Sequence, residues 1–457
     1  MITTQDDVSW TSRLGVLALS LVLIELISGM QVYVAATINP LIANDFNAVQ
    51  SYGLLVGAGM AATFITMPMA PAITRVMGMS RAFTLLTVIS IAAGLMSALA
   101  PSLGIFVVGR IISGLASGAL AVVSTGAIVK FLPATMRQKV LALNNLTWVF
   151  SALIGPTYGG VVASALNWRW AMVIYLPFLL VARLVIAWQM RFIDDVEPRQ
   201  SAKLPFGWAL ALSGSILALG LMNRAGQWVL LVAIAGIAVA FVALRRLLPN
   251  RTLRAGKTRH AALVLLGVVN MAYLGADMVI TLIGHENFDY SATQITWLLS
   301  CSGLAWALTG LWTGPKPATT QRVYLMRVCT GGVLLAVCLI VMGVSMWMHW
   351  AAVFFIGWAF AGLGIGLSFL DTLNVVMSPP IENDGIDAME ISSAMLLIES
   401  VPINVVGTLL ASAVGWSYAH NVPILPVVLF IFLGIVTLTM LPLSRRASSG
   451  TTALMSL

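Results

Sequence analysis

The sequence predicts an all-α polytopic membrane protein, and three observations carry that prediction. Of its 457 residues, 60% are hydrophobic and only 9% are charged, and the mean hydropathy is +0.97. A water-soluble fold needs far more charge on its surface, so lipid is the solvent for most of this chain. The third observation is spacing: apolar runs of about 20 residues, the length a bilayer core asks of a helix, recur along the whole chain.

Divided at charged or Pro/Gly breaks, the runs fall at 14–38, 52–74, 82–100, 104–129, 140–166, 170–190, 206–222, 227–244, 261–284, 293–314, 323–345, 350–377, 391–415 and 422–443. Fourteen spans are expected, the seventh and eighth being the shortest. Charge placement is an independent check. With the N-terminus inside, every one of the 24 Lys+Arg except Arg110, Arg169, Arg183 and Arg224 falls in a cytoplasmic segment, which is the positive-inside asymmetry. The net charge of +8 is therefore a topology signal and not a nucleic-acid patch, and both termini are expected in the cytoplasm. The opening "MITTQDDVSWTSR" carries two acids and lacks a basic n-region, so no removable signal peptide is expected.

Two polar, basic, proline-bearing stretches, "RFIDDVEPRQSAKLP" (191–205) and "RRLLPNRTLRAGKTRH" (245–260), bracket the two short spans. The expected organisation is an N-terminal six-helix bundle (1–190), a cytoplasmic linker (191–205), two additional transmembrane helices (206–244), a basic linker (245–260), a C-terminal six-helix bundle (261–445) and a cytoplasmic tail (446–457). Transporters built from six-span halves share this outline, with a cavity between the halves near the midplane. Cys301, Cys329 and Cys338 lie in apolar runs without CxxC spacing and read as small hydrophobes. The four histidines are scattered, so neither a metal site nor a cofactor is expected. No nucleophile elbow or phosphate-cradling loop is present. An enzyme is not expected, and the energy for any transport would come from an ion gradient.

"IGPTYGG" (154–160) interrupts the fifth run with three glycines and a proline. Ser151, Gly155 and Gly159 recur every fourth residue, a small-residue stripe that lets another helix come close, and Pro156 removes a backbone donor and bends its helix. The run resembles the antiporter motif GxxxGPxxGG of the major facilitator superfamily, through Ser151, Gly155, Pro156, Gly159 and Gly160. The following Trp168, Arg169, Trp170, Ala171 and Pro177 resemble that family's WRWxFxxxxP. "GRIISGLASG" is similar to its RxxxGxxxG motif through Arg110, Gly114 and Gly118. The second half also looks like the drug/proton antiporter branch with 14 spans. The resemblance implies a major facilitator fold, two six-helix bundles plus two extra central transmembrane helices, working as an exporter. Two departures stand out: in "PAITRVMGMSR" Arg75 stands where the family has an acid, and in "MQVYVAATINP" Gln31 does.

Ionisable groups inside a membrane are costly and are functional candidates by default. Four acids fall within spans: Glu25, Asp277, Asp371 and Glu399. At the helical rise, Glu25 lies roughly 18 Å from the inner end of its span, and Arg110, Gln31 and Asp277 lie about 9–11 Å below the outer ends of theirs. The reading is that Asp277, modulated by Arg110, carries coupling, with Glu25 contacting substrate or a second proton. Asp371 is either a cavity group or an interfacial acid, and Glu399 either a cavity group or a helix-to-helix hydrogen-bond partner. Arg183 is expected to snorkel to the interface. With 14 tryptophans and 23 methionines to offer aromatic and adaptable apolar contacts, the expected function is proton-coupled export of amphiphilic or cationic small molecules by a plasma-membrane monomer. Export of a lipid or endogenous metabolite, or a non-transporting sensor or scaffold on the same fold, are the alternatives.

Overall fold

The computed structural model describes residues 12–47, 52–193, 204–382 and 384–454. Among these, the regular structure is helical, as it must be where no water is at hand to satisfy backbone N–H and C=O groups. In chain order the α-helices are α1 (Arg13–Asp45), α2 (Tyr52–Thr66), α3 (Ala70–Met77), α4 (Met79–Ala98), α5 (Leu103–Phe131), α6 (Ala134–Ala165), α7 (Trp168–Val173), α8 (Leu176–Ile193), α9 (Phe206–Gly220), α10 (Val229–Leu247), α11 (Thr258–Phe288), α12 (Ala292–Thr313), α13 (Gln321–Met348), α14 (Ala351–Met377), α15 (Ala388–Ala419), α16 (Ile424–Thr437) and α17 (Met440–Ala447). Side-chain caps start several of them. Ser12 accepts from Gly15 N, Asn167 from Arg169 N and Trp170 N, and Ser291 forms a capping box with Gln294.

Eleven helices are long and apolar enough to cross a membrane, and twelve when bent α6 is taken as one span. The sequence leads one to expect fourteen, and the difference has local causes. The second expected span is divided into α2, a 3-10 turn at Met67–Met69 and α3, because Pro68 and Pro71 each remove a backbone donor. The seventh, α9, has only 15 residues, about 22 Å of helix against a core of about 30 Å. Most of the expected linker at 191–205 lies outside the described residues.

The chain divides into two compact units. Unit 1 runs to Leu217 and also takes in Asp387–Ser393, whereas unit 2 comprises Ala218–Ile386 and Ala394–Leu457. The division passes through α9 and the start of α15. In unit 1, α1 packs on α6, and α5 packs on α2 and α4. Gly114 of α5 lies against the Gly59 carbonyl of α2, and Gly118 against that of Thr63, while Thr66 Oγ1 donates to the Leu115 carbonyl at 2.6 Å. Where α1 ends, Phe46, Phe106 and Trp168 form an aromatic cluster with ring centroids about 6 Å apart. Asp45 accepts from Trp168 Nε1 at 3.1 Å and from Arg169 at 3.0 Å.

In unit 2, α13 packs on α14 and α16, and α14 also packs on α11 and α12. Its core holds Tyr324, Phe354, Trp358 and Phe430, all fully buried. A buried ion pair ties the start of α13 to the end of α14: Arg327 Nη1 lies 3.1 Å from Asp371 Oδ2, with side chains 11% and 1% exposed. Ala318 N donates to the other Asp371 oxygen at 3.1 Å, and Arg327 also donates to the Lys316 carbonyl at 2.8 Å. Removing one partner of such a pair strands a buried charge, at a cost of about 3–5 kcal/mol. Asp371→Asn is therefore expected to lower the thermal midpoint in detergent sharply. The double change Arg327→Met with Asp371→Leu should recover most of the loss. Equal midpoints for the single and double variants would contradict this account.

Candidate functional site

Within unit 1, α1, α4, α5 and the start of α8 enclose a cavity of about 50 Å³. Gln31 and Asn39 reach it from α1, Ser90 from α4, Arg110 and Ser113 from α5, and Tyr175 from the turn before α8. Gly59 of the facing helix lets α5 come close: a Cβ there would sit 3.2 Å from the Arg110 carbonyl oxygen and in ordinary contact with the guanidinium. Gln31 and Arg110, which helix-rise arithmetic places at one depth, thus line the same space. Arg183 departs from its expected place. It is 5% exposed, and its Nε and Nη1 are buried without a hydrogen-bond partner. Packing inside unit 1 holds it, so its guanidinium does not reach outward.

Beside the cavity runs the seam between α1 and α6. Trp148 Nε1 donates to Glu25 Oε1 at 3.0 Å, and Ser151 Oγ donates to the Leu26 carbonyl at 2.8 Å. One and two turns on, Gly155 faces Tyr33 and the Met30 carbonyl, and Gly159 faces Val34 and Thr37. α6 bends by 44° between the pieces Met136–Trp148 and Leu153–Ala165. The bend lies where the ring of Pro156 opposes the carbonyl four residues earlier. Gly160 has no neighbour within 4 Å of where a Cβ would lie, so it contributes no close approach.

Unit 2 contributes its own polar and aromatic group. Asp277 is half-buried on α11, one turn from Tyr273. Tyr273 shares a 2.7 Å hydrogen bond with Ser302, stacks on Trp358 at 4.7 Å and meets Trp306 edge-on at 5.5 Å. The indole nitrogens of Trp306 and Trp358 are buried without a hydrogen-bond partner. Glu399 is half-buried on α15. Asp371 is held by Arg327 and Ala318, away from these groups. Asp277 and Glu399 therefore belong to unit 2, and Glu25, Gln31 and Arg110 to unit 1.

Arg75, the residue of the wrong sign for its motif, is not idle. It donates to Asp387 Oδ2 from Nη2 at 2.6 Å and from Nε at 3.2 Å, and it also donates to Glu390. Asp387 in turn accepts from Met389 N and Glu390 N at 2.9 and 2.8 Å, capping the start of α15, where negative charge also suits the helix dipole. The cluster lies within unit 1, made by the first turns of a helix whose remainder belongs to unit 2. Sequence reasoning missed it because the acids lie more than 300 positions from Arg75. The available signal was the acidic stretch "IENDGIDAME" ahead of the thirteenth expected span.

These features define a multi-pass α-helical membrane protein with tight small-residue seams and polar groups held inside its spans. The sequence profile of the Major Facilitator Superfamily matches residues 21–383, and the chain belongs to that family, a class of transporters rather than enzymes. Among its relatives are the efflux pump apf11 of Gibberella fujikuroi, 28% identical over 50% of this chain and 46% of that protein, and the multidrug efflux pump SdrM of Staphylococcus aureus, 25% identical over 39% and 40%. The lincomycin resistance protein LmrB of Bacillus subtilis is 32% identical over 24% of each. The matches span about half or less of these relatives' lengths. The solved structure of the proton:xylose symporter XylE superposes with a TM-score of 0.63 over 93% of this chain and 94% of that one, at 14% identity. The human organic anion transporter MFSD10 does so with 0.61 over 94% and 96%, at 16% identity. Both likenesses establish the major facilitator fold.

Two predictions follow from the geometry. A Cβ at position 155 would sit 2.6 Å from that of Tyr33, so Gly155→Ala should destabilise by about 1–3 kcal/mol through overpacking. Gly160→Ala should be neutral or stabilising, since alanine is the better helix former; thermal midpoints that rank the two variants the other way would refute the seam. For Arg75, first Asp387 and then Glu390 raise the guanidinium above its ordinary value. Its stabilisation is therefore fully present below that ordinary value and is lost only as pH rises through the still higher folded value. Arg75→Ala should accordingly lower stability by about 1 kcal/mol or less, the range of exposed pairs, with no pH dependence from the arginine between pH 6 and 9. The loss should shrink in high salt.

Proposed function

We propose that the protein is a proton-coupled exporter of amphiphilic or cationic small molecules, working by alternating access in the plasma membrane, with both termini cytoplasmic. The observation that carries this reading is the pair of half-buried carboxylates, Glu25 and Asp277, each beside aromatic side chains in a chain whose relatives include efflux pumps. A carboxyl group in a desolvated site takes up a proton more readily and releases it when water reaches it. Alternating exposure would then move protons one way and cargo the other. Trp148 beside Glu25, and the Tyr273, Trp306 and Trp358 group near Asp277, offer π faces that attract cations. Arg110, a fixed positive charge inside unit 1, is the proposed modulator of coupling. Gly155, Pro156 and Gly159 form the hinge, with Gly114 and Gly118 as the packing seam of α5.

The test is reconstitution of the pure protein into proteoliposomes with a trapped pH indicator, challenged with lipophilic cations, neutral amphiphiles and lipids. Cargo-evoked proton movement is expected, abolished by Asp277→Asn and reduced at least tenfold by Glu25→Gln. Cargo transport without proton movement would dismiss the coupling, and absence of transport with every cargo would favour a sensor or scaffold.

A further inference from the structure

We infer that the cavity around Arg110 is a binding site for a small monovalent anion, of halide or carboxylate size. Seven polar side chains line it: Gln31, Asn39, Ser90, Ser97, Arg110, Ser113 and Tyr175. Ser97 donates to the Phe106 carbonyl at 3.4 Å, and none of the other six makes a side-chain hydrogen bond or ion pair to the rest of the described protein. Asn39 and Ser90 are only 7% exposed. Buried polar groups in folded proteins are almost always hydrogen-bonded, and leaving even one unmade costs about 1–3 kcal/mol. Two buried and four half-buried polar side chains facing one space favour a polar occupant, and a cavity of about 50 Å³ is several times the roughly 10–15 Å³ that one water needs by the same measure.

The sign of the occupant follows from the lining. Among the described residues that enclose the space, Arg110 is the one charged residue and none is a carboxylate. An isolated buried charge is far costlier than a buried dipole and is normally compensated by a counter-charge. Gln31, Asn39, Ser90, Ser113 and Tyr175 can all donate, through amide N–H or hydroxyl groups. A guanidinium surrounded by neutral donors is a receptor for an anion, and the lining offers a cation no carboxylate to meet it. The chemistry does not separate an inorganic halide from the carboxylate end of a cargo molecule, and the test does so. This inference rests on unit 1 alone, independent of the direction and coupling of transport.

The test is equilibrium binding in detergent, with no transport step. At constant ionic strength, gluconate would be replaced by chloride, bromide or formate, and thermal stability recorded against anion concentration. The wild type should be stabilised saturably. Arg110→Gln should abolish the saturable component. Tyr175→Phe and Ser113→Ala, which remove one donor each with little change of shape, should weaken the apparent affinity by about tenfold. Response to chloride and bromide would mark a halide site, and response to formate alone a carboxylate subsite. Bromide should also give an anomalous diffraction peak within 4 Å of the Arg110 guanidinium. Stabilisation that is absent, does not saturate or survives unchanged in Arg110→Gln would overturn the inference. Should that variant not fold, an unchanged affinity in both Tyr175→Phe and Ser113→Ala would overturn it equally.

Discussion

In lipid, the hydrophobic effect does not push one helix against another, so the helices of this protein meet where side chains are missing. Gly59 and Gly114 bring α2 and α5 into contact, and Gly331 and Gly364 do the same for α13 and α14. Gly362 lies against the Ser302 carbonyl across α12 and α14, and Gly155 lies against α1. At each of these positions a Cβ would approach a backbone or Cβ atom more closely than van der Waals contact allows, and the close approach supplies the dispersion that lipid contact cannot exceed. The functional groups are built on these seams. The backbone of Arg110 lies close to Gly59 in the same seam as Gly114, and Glu25 meets Trp148 where Ser151 and Gly155 hold α6 against α1.

The ionisable residues divide into those with a protein counter-charge and those without. Arg75, Arg169, Arg259 and Arg327 are each paired with an acid. Asp371–Arg327 is closed on both sides, with the spare carboxylate oxygen held by a backbone N–H. Such a pair is a fastener, since neither member can change its charge without leaving the other stranded. Arg110 and Arg183 have no such partner among the described residues, and Glu25 accepts from a neutral donor, Trp148. Groups held this way can change charge or accept a ligand without breaking an ion pair. Chemistry is therefore to be sought among them.

Hydropathy and charge asymmetry made the fold class legible, because lipid imposes both on the sequence directly. The bend in α6 was legible because its cause is local: Pro156 lies within one turn of it. Helix rise gave Gln31 and Arg110 a common depth, and the packing of α1 on α5 adds that they line one space. Legibility ended where partners are far apart in the chain. Nothing near Arg75 announces Asp387 and Glu390, and a motif with the wrong sign reads as a defect until the opposite charges are found capping another helix. Asn39, Ser90, Ser113 and Tyr175 look like ordinary polar residues in apolar runs. Only the packing of four helix segments turns them toward one space. Arg183 misled for the opposite reason, since its distance from a span end says how far it could reach and not what surrounds it.

The bend in α6 and the carboxylate of Glu25 are mechanically joined. Trp148, the donor to Glu25, ends the piece of α6 before the bend, and the stripe of Gly155 and Gly159 belongs to the piece after it. Ser151 lies in the bend itself and is tied to the Leu26 carbonyl, next in the chain to Glu25. The seam beyond the bend is set by backbone contact and yields little, whereas the Trp148 contact is a single directional bond whose strength falls steeply with angle. A change in bend angle would therefore be felt first at the Trp148–Glu25 bond and only afterwards at the glycine seam. Loss of that bond withdraws from the carboxylate the one side-chain donor it has among the described residues. Pro156, eight residues or about two turns beyond Trp148, thus shapes the helix that presents this donor to Glu25.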